Sequence, residues 1–169
     1  MGGQFSSRLN LNLREDKGFT YGISSGFYYN QDAGYFEIST SVNGKDTGEA
    51  IKEIQKEIAG VKLNITDAEI EFTKSYLVKR FPAMFETSSQ IAHNIATLQK
   101  YGLSSNYFDN YIDMISSCSK IDIENVAKEN IISNELIYLV VGDKKTVLPQ
   151  LEEITDLDII ELDVNGSVV

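Results

Sequence analysis

The sequence predicts an α+β fold, an antiparallel sheet with helices packed on it, from three observations. Two aromatic-rich runs, residues 19–30 and 35–42, flank the polar break Gln31-Asp-Ala-Gly34, which is the pattern of a β-hairpin. Between residues 48 and 131, apolar residues recur at helical spacing, separated by cap and breaker signals. The chain has 169 residues, 42% of them hydrophobic and 24% charged, which is enough for one domain, residues 1–169, with its own core.

Element by element, Phe5, Leu9 and Leu13 recur every four residues and predict a helix over 5–13, with Leu11 off the stripe. Ser6 or Ser7 suits its start, Gly18 a left-handed stop, and Arg14 and Lys17 complement the dipole of its last turn. The hairpin follows, its second strand alternating Phe36 and Ile38 against Glu37 and Ser39. An amphipathic helix over 48–59 places Ile51, Ile54 and Ile58 on one side. Thr66 and Glu69 form a capping box opening a helix at about residue 67, which Pro82 should end or kink. Further helices are expected over 88–101, 107–117 and 122–131. A buried strand is expected over 136–141 (Leu-Ile-Tyr-Leu-Val-Val), then a short helix over 147–154 and a last strand over 158–164. No Lys or Arg follows Lys145, while Glu152, Glu153, Asp156, Asp158, Glu161 and Asp163 make the end acidic.

Charge and composition narrow the partners. A formal charge of −10 is repelled by phosphate backbones and anionic lipid, so neither nucleic acid nor a membrane is an expected partner. The longest apolar run falls far short of the ~20 residues of a membrane-spanning helix. The single cysteine, Cys118, cannot form an internal disulfide, and the compartment stays open, bacterial envelope and cytoplasm fitting equally. The first residues have no signal-peptide core, yet helix is expected from residue 5, so a piece cut from something larger just upstream of Gly2 is expected.

Several short patterns lose to simpler accounts. Gly22-Ile-Ser24-Ser-Gly26 has the spacing of a hydrolase nucleophile elbow, but that motif needs a strand-to-helix turn, and here the strand continues into a hairpin. His93, the only histidine, has no Glu or His at metal-binding helical spacing, so no two-histidine zinc site can be assembled from this chain. Gly44-Lys45-Asp46-Thr47 lacks the earlier glycine of a phosphate loop, because position 39 is Ser. Cys118 has no cationic neighbour before Lys120.

The opening block carries more. Arg14 closes the first helix, and Tyr21 begins the next strand seven residues later, on the other side of the reversal at Gly18. A guanidinium and a phenol converging on one point would suit a peptide carbonyl or an oxyanion. Arg14 as a dipole complement and Tyr21 as an ordinary strand aromatic is the competing account.

The phrase Gly2-Gly-Gln-Phe-Ser-Ser-Arg-Leu-Asn-Leu-Asn-Leu-Arg-Glu-Asp-Lys-Gly-Phe-Thr-Tyr-Gly22 resembles the insulinase/pitrilysin-type zinc metallopeptidases, the inverted zincins that include mitochondrial-processing-peptidase-like proteins. The likeness is to their zinc-free, C-terminal homologous half. It extends through Phe81-Pro-Ala-Met-Phe-Glu-Thr87 within a long helix, Tyr101-Gly-Leu103 and Val140-Val-Gly-Asp143. The resemblance implies one half-unit of a clamshell that closes around a peptide chamber, truncated here by a strand and a helix normally found before the Gly-Gly. The other half would bind zinc through His-x-x-Glu-His and a further Glu; where the halves correspond, this chain reads Ser6-Ser-Arg-Leu-Asn10. The resemblance therefore implies no cofactor in this chain, zinc on a partner half of the same polypeptide or a separate subunit, and no peptide hydrolysis by this chain alone. Arg14 and Tyr21 match in type and spacing the pair that reaches the substrate backbone in this family. The alternative is an inert family member that acts as a structural or binding scaffold.

Overall fold

The computed structural model describes residues 1–30, 32–154 and 158–169; Gln31 of the expected turn and Asp156 of the acidic stretch lie outside them. The fold is α+β. Strands β1 (Thr20–Tyr29) and β2 (Gly34–Val42) pair antiparallel in a two-stranded sheet. Helices α1 (Thr47–Leu63), α2 (Asp67–Arg80), α3 (Ser88–Lys100), α4 (Tyr111–Ser117), α5 (Lys120–Asn130) and α6 (Lys144–Ile154) follow. The chain divides into two compact units. One comprises Met1–Gly26, Glu37–Ala59 and Ser133–Val169, and the other Phe27–Phe36 and Gly60–Ile132.

The first unit is built on the opening helix. Leu9 and Leu13 are fully buried, packed with Ile23 of β1 and Ala50 of α1, and Phe19, Ile38, Val42 and Ile54 close around them. Helical backbone starts three residues later than the sequence suggests. Over Asn10–Asp16 it winds as a π-helix, with the Lys17 N–H donating to the Asn12 carbonyl five residues back, at 2.9 Å. The wider turn places Asn10 on the buried side beside Leu13. Phe5, expected on the same apolar stripe, is outside the helix and 65% exposed. Ser7 does not cap the helix with its side chain; its Oγ accepts from Asn10 Nδ2 at 3.2 Å. Gly18 ends the segment in the left-handed region, φ +67°.

The two later strands expected in this unit do not form. Over 136–141 Ile137, Leu139 and Val141 stand almost wholly in solvent, while the Tyr138 hydroxyl accepts from Gln55 Nε2 of α1 at 3.0 Å. The residues are β-formers, but a strand needs a neighbouring ladder, and the sheet of the described residues is β1 and β2 alone. Over 158–164 the backbone forms only an isolated bridge, Leu162 to Val168, closed by a turn at Gly166. Helix α6 is tied to the start of α1 by Gln150, whose amide accepts from the Gly48 N–H at 3.0 Å and donates to the Gly44 carbonyl at 2.8 Å.

The second unit is capped as the sequence specifies. Thr66 and Glu69 form the reciprocal capping box of α2, and Thr87 with Gln90 and Ser119 with Asp122 repeat it at α3 and α5. Pro82 does end α2: Phe81–Phe85 tightens into a 3-10 turn, so this stretch is not part of one long helix. There Phe81 stacks on Tyr111 and packs edge-on to Phe85, and Phe108 completes the aromatic cluster. At the hairpin tip Tyr28 stacks on Tyr35, and the Tyr29 carbonyl accepts the Tyr101 hydroxyl at 2.8 Å.

Candidate functional site

The opening helix and β1 meet along the edge of β1 that faces away from β2. Asn10, 5% exposed, joins them. Its Nδ2 donates to the Ile23 carbonyl at 2.7 Å, and its Oδ1 accepts the Ile23 N–H at 3.1 Å. The side-chain amide thus serves one residue of β1 as a neighbouring strand would. The same Nδ2 is 3.2 Å from the Gln4 carbonyl. Just before it, the Gly2 carbonyl accepts the Ser25 N–H at 3.1 Å. A Cβ at Gly2 would fall 2.6 Å from Ser25 N, so the chain passes β1 at a distance only glycine permits. Beside this stretch opens a shallow cleft of about 360 Å³ walled by Gly2, Gly3, Phe5, Gly22, Ser24 and Ser39.

Arg14 and Tyr21 lie in this unit but are not in contact: among the described residues, no hydrogen bond or ring contact joins them. The Arg14 guanidinium carbon sits 3.8 Å from the centroid of the Phe5 ring. Its Nη1 is 3.1 Å from Glu15 Oε1, yet the pair is not aligned for a hydrogen bond, and this buried nitrogen has no hydrogen-bond partner. Tyr21 is fully exposed. On the opposite side of the opening helix, Asn12 Nδ2 donates to two carboxylates of α1, Glu53 Oε2 at 2.7 Å and Glu57 Oε1 at 2.8 Å. That bond, with the Lys56 ammonium, holds the Glu53 carboxyl below the usual carboxylate range.

The other sequence candidates find ordinary places. Ser24 is an exposed residue in the middle of β1, without the strand-to-helix turn a nucleophile elbow needs. His93 is exposed on α3, and Cys118 is a half-buried thiol between α4 and α5. Among the described residues no group of three His, Cys, Asp or Glu is placed to hold a metal ion, and no helix is long and apolar enough to cross a membrane. Ser6, Ser7 and Asn10 are a poor zinc donor set, and Asn10 spends its amide on β1. Asn10 entered the sequence reading only as a departure from a metal motif. Its one legible signal was a polar residue next to Leu9 and Leu13, a position where a buried side chain must find partners.

Residues 1–77, which include the opening helix, the hairpin and α1, match the family described as peptidase M16 inactive domain. This supports the insulinase-family likeness, to the domain of that family described as inactive. Among individual proteins, the chain is 26% identical over 149 residues to the non-peptidase homolog YmxG of Helicobacter pylori, covering 86% of this chain and 34% of that one. In fold it is similar to the crystal structure of a peptidase M16 inactive domain from Pseudomonas fluorescens (TM-score 0.72, 22% identity, 79% of this chain and 32% of that one). It is also similar to a conserved protein from Enterococcus faecalis (TM-score 0.65, 23% identity, 75% and 30%). The chain therefore spans about a third of the length of each of these relatives.

Proposed function

We propose that residues 1–169 act as the zinc-free half of a two-part zinc peptidase, closing a peptide chamber and contacting the substrate backbone through Arg14 and Tyr21. The reading takes zinc to belong to the partner half, and this chain to be inactive alone. The observation that supports it is Arg14 Nη1, a shielded cationic nitrogen 3.1 Å from Glu15 Oε1 that makes no hydrogen bond. A desolvated guanidinium N–H left open is unfavourable unless something else uses it, and a peptide carbonyl is an acceptor of the right kind. Tyr21, wholly exposed, adds a neutral donor that can meet the same strand from solvent.

The test is peptide cleavage by the zinc-bearing half with this chain added. The natural chain should restore turnover, and Arg14→Ala or Tyr21→Phe should each lower it, by up to about 10²–10³ if the donor meets developing oxyanion charge. Equal restoration by all three chains would refute the substrate-contact role. A second reading, a family member that serves as a scaffold, is favoured by the name of the H. pylori relative, a non-peptidase homolog, and by the separation of Arg14 from Tyr21. On that reading the chain binds its partner and none of the three restores cleavage.

A further inference from the structure

We infer that Phe5 is a positioning residue for Arg14: its ring supports the guanidinium and sets the direction in which its N–H groups meet an incoming acceptor. The inference rests on the substrate-contact reading and names the residue that reading leaves unexplained. Phe5 was expected in the core, yet it is 65% exposed and its ring lies against Arg14. The centroid of its ring lies 3.8 Å from Arg14 Cζ, which is cation–π contact distance. Cation–π contact covers one face of the guanidinium without using any of its N–H groups.

The competitor for those N–H groups is the adjacent carboxylate of Glu15, 3.1 Å from Nη1 but misaligned. An arginine free to rotate would close that ion pair in a bidentate fork and turn its donors toward Glu15. With the ring beside it, the guanidinium is held with Nη1 shielded and 3.1 Å from Glu15 Oε1, outside hydrogen-bond alignment. Gly3, with open space around its Cβ position, and Gln4 lead directly into Phe5, so the ring is delivered by the backbone stretch that Gly2 and Asn10 fix against β1.

The experiment uses the full chain and two readouts. In ¹H–¹⁵N spectra of the arginine Nε–Hε groups, Arg8, Arg14 and Arg80 each give one resonance, and Arg14→Lys identifies the one that matters. Phe5→Leu should abolish the ring-current displacement of that resonance, and Phe5→Tyr should keep it. With the zinc-bearing half, Phe5→Leu should lower kcat/KM about two- to fivefold and Phe5→Tyr should restore it, while in an Arg14→Ala background Phe5→Leu should change nothing further. An unmoved resonance overturns the proposal, as does an equal loss with and without Arg14. If Arg14→Ala lowers turnover but Phe5→Leu does not, Phe5 positioning is refuted and the substrate-contact reading stands. If Arg14→Ala is silent, the substrate-contact reading fails first and takes the positioning role with it, whatever the resonance does.

Discussion

Asn10→Ala tests the joint between the opening helix and β1 most directly. The substitution removes one acceptor and one donor from Ile23, whose N–H and carbonyl are both met by the Asn10 amide, at 3.1 and 2.7 Å. Ile23 is 4% exposed, so water cannot replace the lost partners without opening the core of Leu9, Leu13 and Ala50. Each orphaned buried backbone group costs about 1–3 kcal/mol, so the pair should cost about 2–6 kcal/mol. That is a large share of the roughly 5–15 kcal/mol by which a domain is stable. In urea, with a slope of about 2 kcal/mol per molar, the midpoint should fall by roughly 1–3 M, and the Ile23 amide should lose its protection from hydrogen exchange. A midpoint within about 0.5 M of the natural chain, or an Ile23 amide that stays protected, would refute the reasoning.

Asn10→Asp sharpens the test. Above the carboxylate range the side chain accepts from the Ile23 N–H but cannot donate to the Ile23 carbonyl, and the buried charge is desolvated. Its folded pKa is therefore raised above the unfolded value, so the stability it contributes is present below the unfolded pKa and lost as pH rises through the folded one. This variant should gain on the natural chain as the solution is acidified. A constant difference at all pH values would mean that donation to Ile23 is unimportant.

Two further predictions concern the same unit. Glu53 has its carboxyl pKa depressed by the Asn12 amide first and Lys56 second, so the stability it contributes is present above its ordinary value of 4.5 and lost as pH falls through the lower folded value. Asn12→Leu should flatten that part of the acid-denaturation profile; an unchanged profile would count against the bond. Gly18→Ala meets no steric obstacle, since nothing lies within 4 Å of a Cβ there, and should cost only the backbone penalty of a left-handed residue, about 1–2 kcal/mol, read as a lowered Tm. Gly18→Asn should recover part of it.

Apart from the expected serine cap of the opening helix, local rules read from the sequence held where the signal and its partner lie a few residues apart. The hairpin, the Thr66–Glu69 box, the stop at Gly18 and the break at Pro82 are all of this kind. The failures involve partners that are distant or missing. Residues 136–141 have every strand propensity, but propensity cannot supply the adjacent strand that a ladder requires, and Ile137, Leu139 and Val141 remain in solvent. The start of the opening helix was displaced because a four-residue stripe cannot distinguish a leucine that packs from a phenylalanine that stacks on an arginine nine positions on. Phe5 and Leu9 look alike in that pattern, and only the fold separates them. Asn10 was illegible for the same reason: its importance comes from Ile23, thirteen residues on.

The clamp at Asn10 also bears on how the two proposed donors are related. Asn10 precedes Arg14 by one turn of the opening helix, and Ile23 follows Tyr21 by two residues on β1. The amide that ties residue 10 to residue 23 therefore fixes the element bearing the guanidinium to the element bearing the phenol. A rigid joint suits a scaffold and a substrate clamp equally well, so it does not separate them. The Arg14→Ala chain does: a clamp on a peptide carbonyl should lose turnover with the guanidinium, whereas a scaffold should not notice its loss.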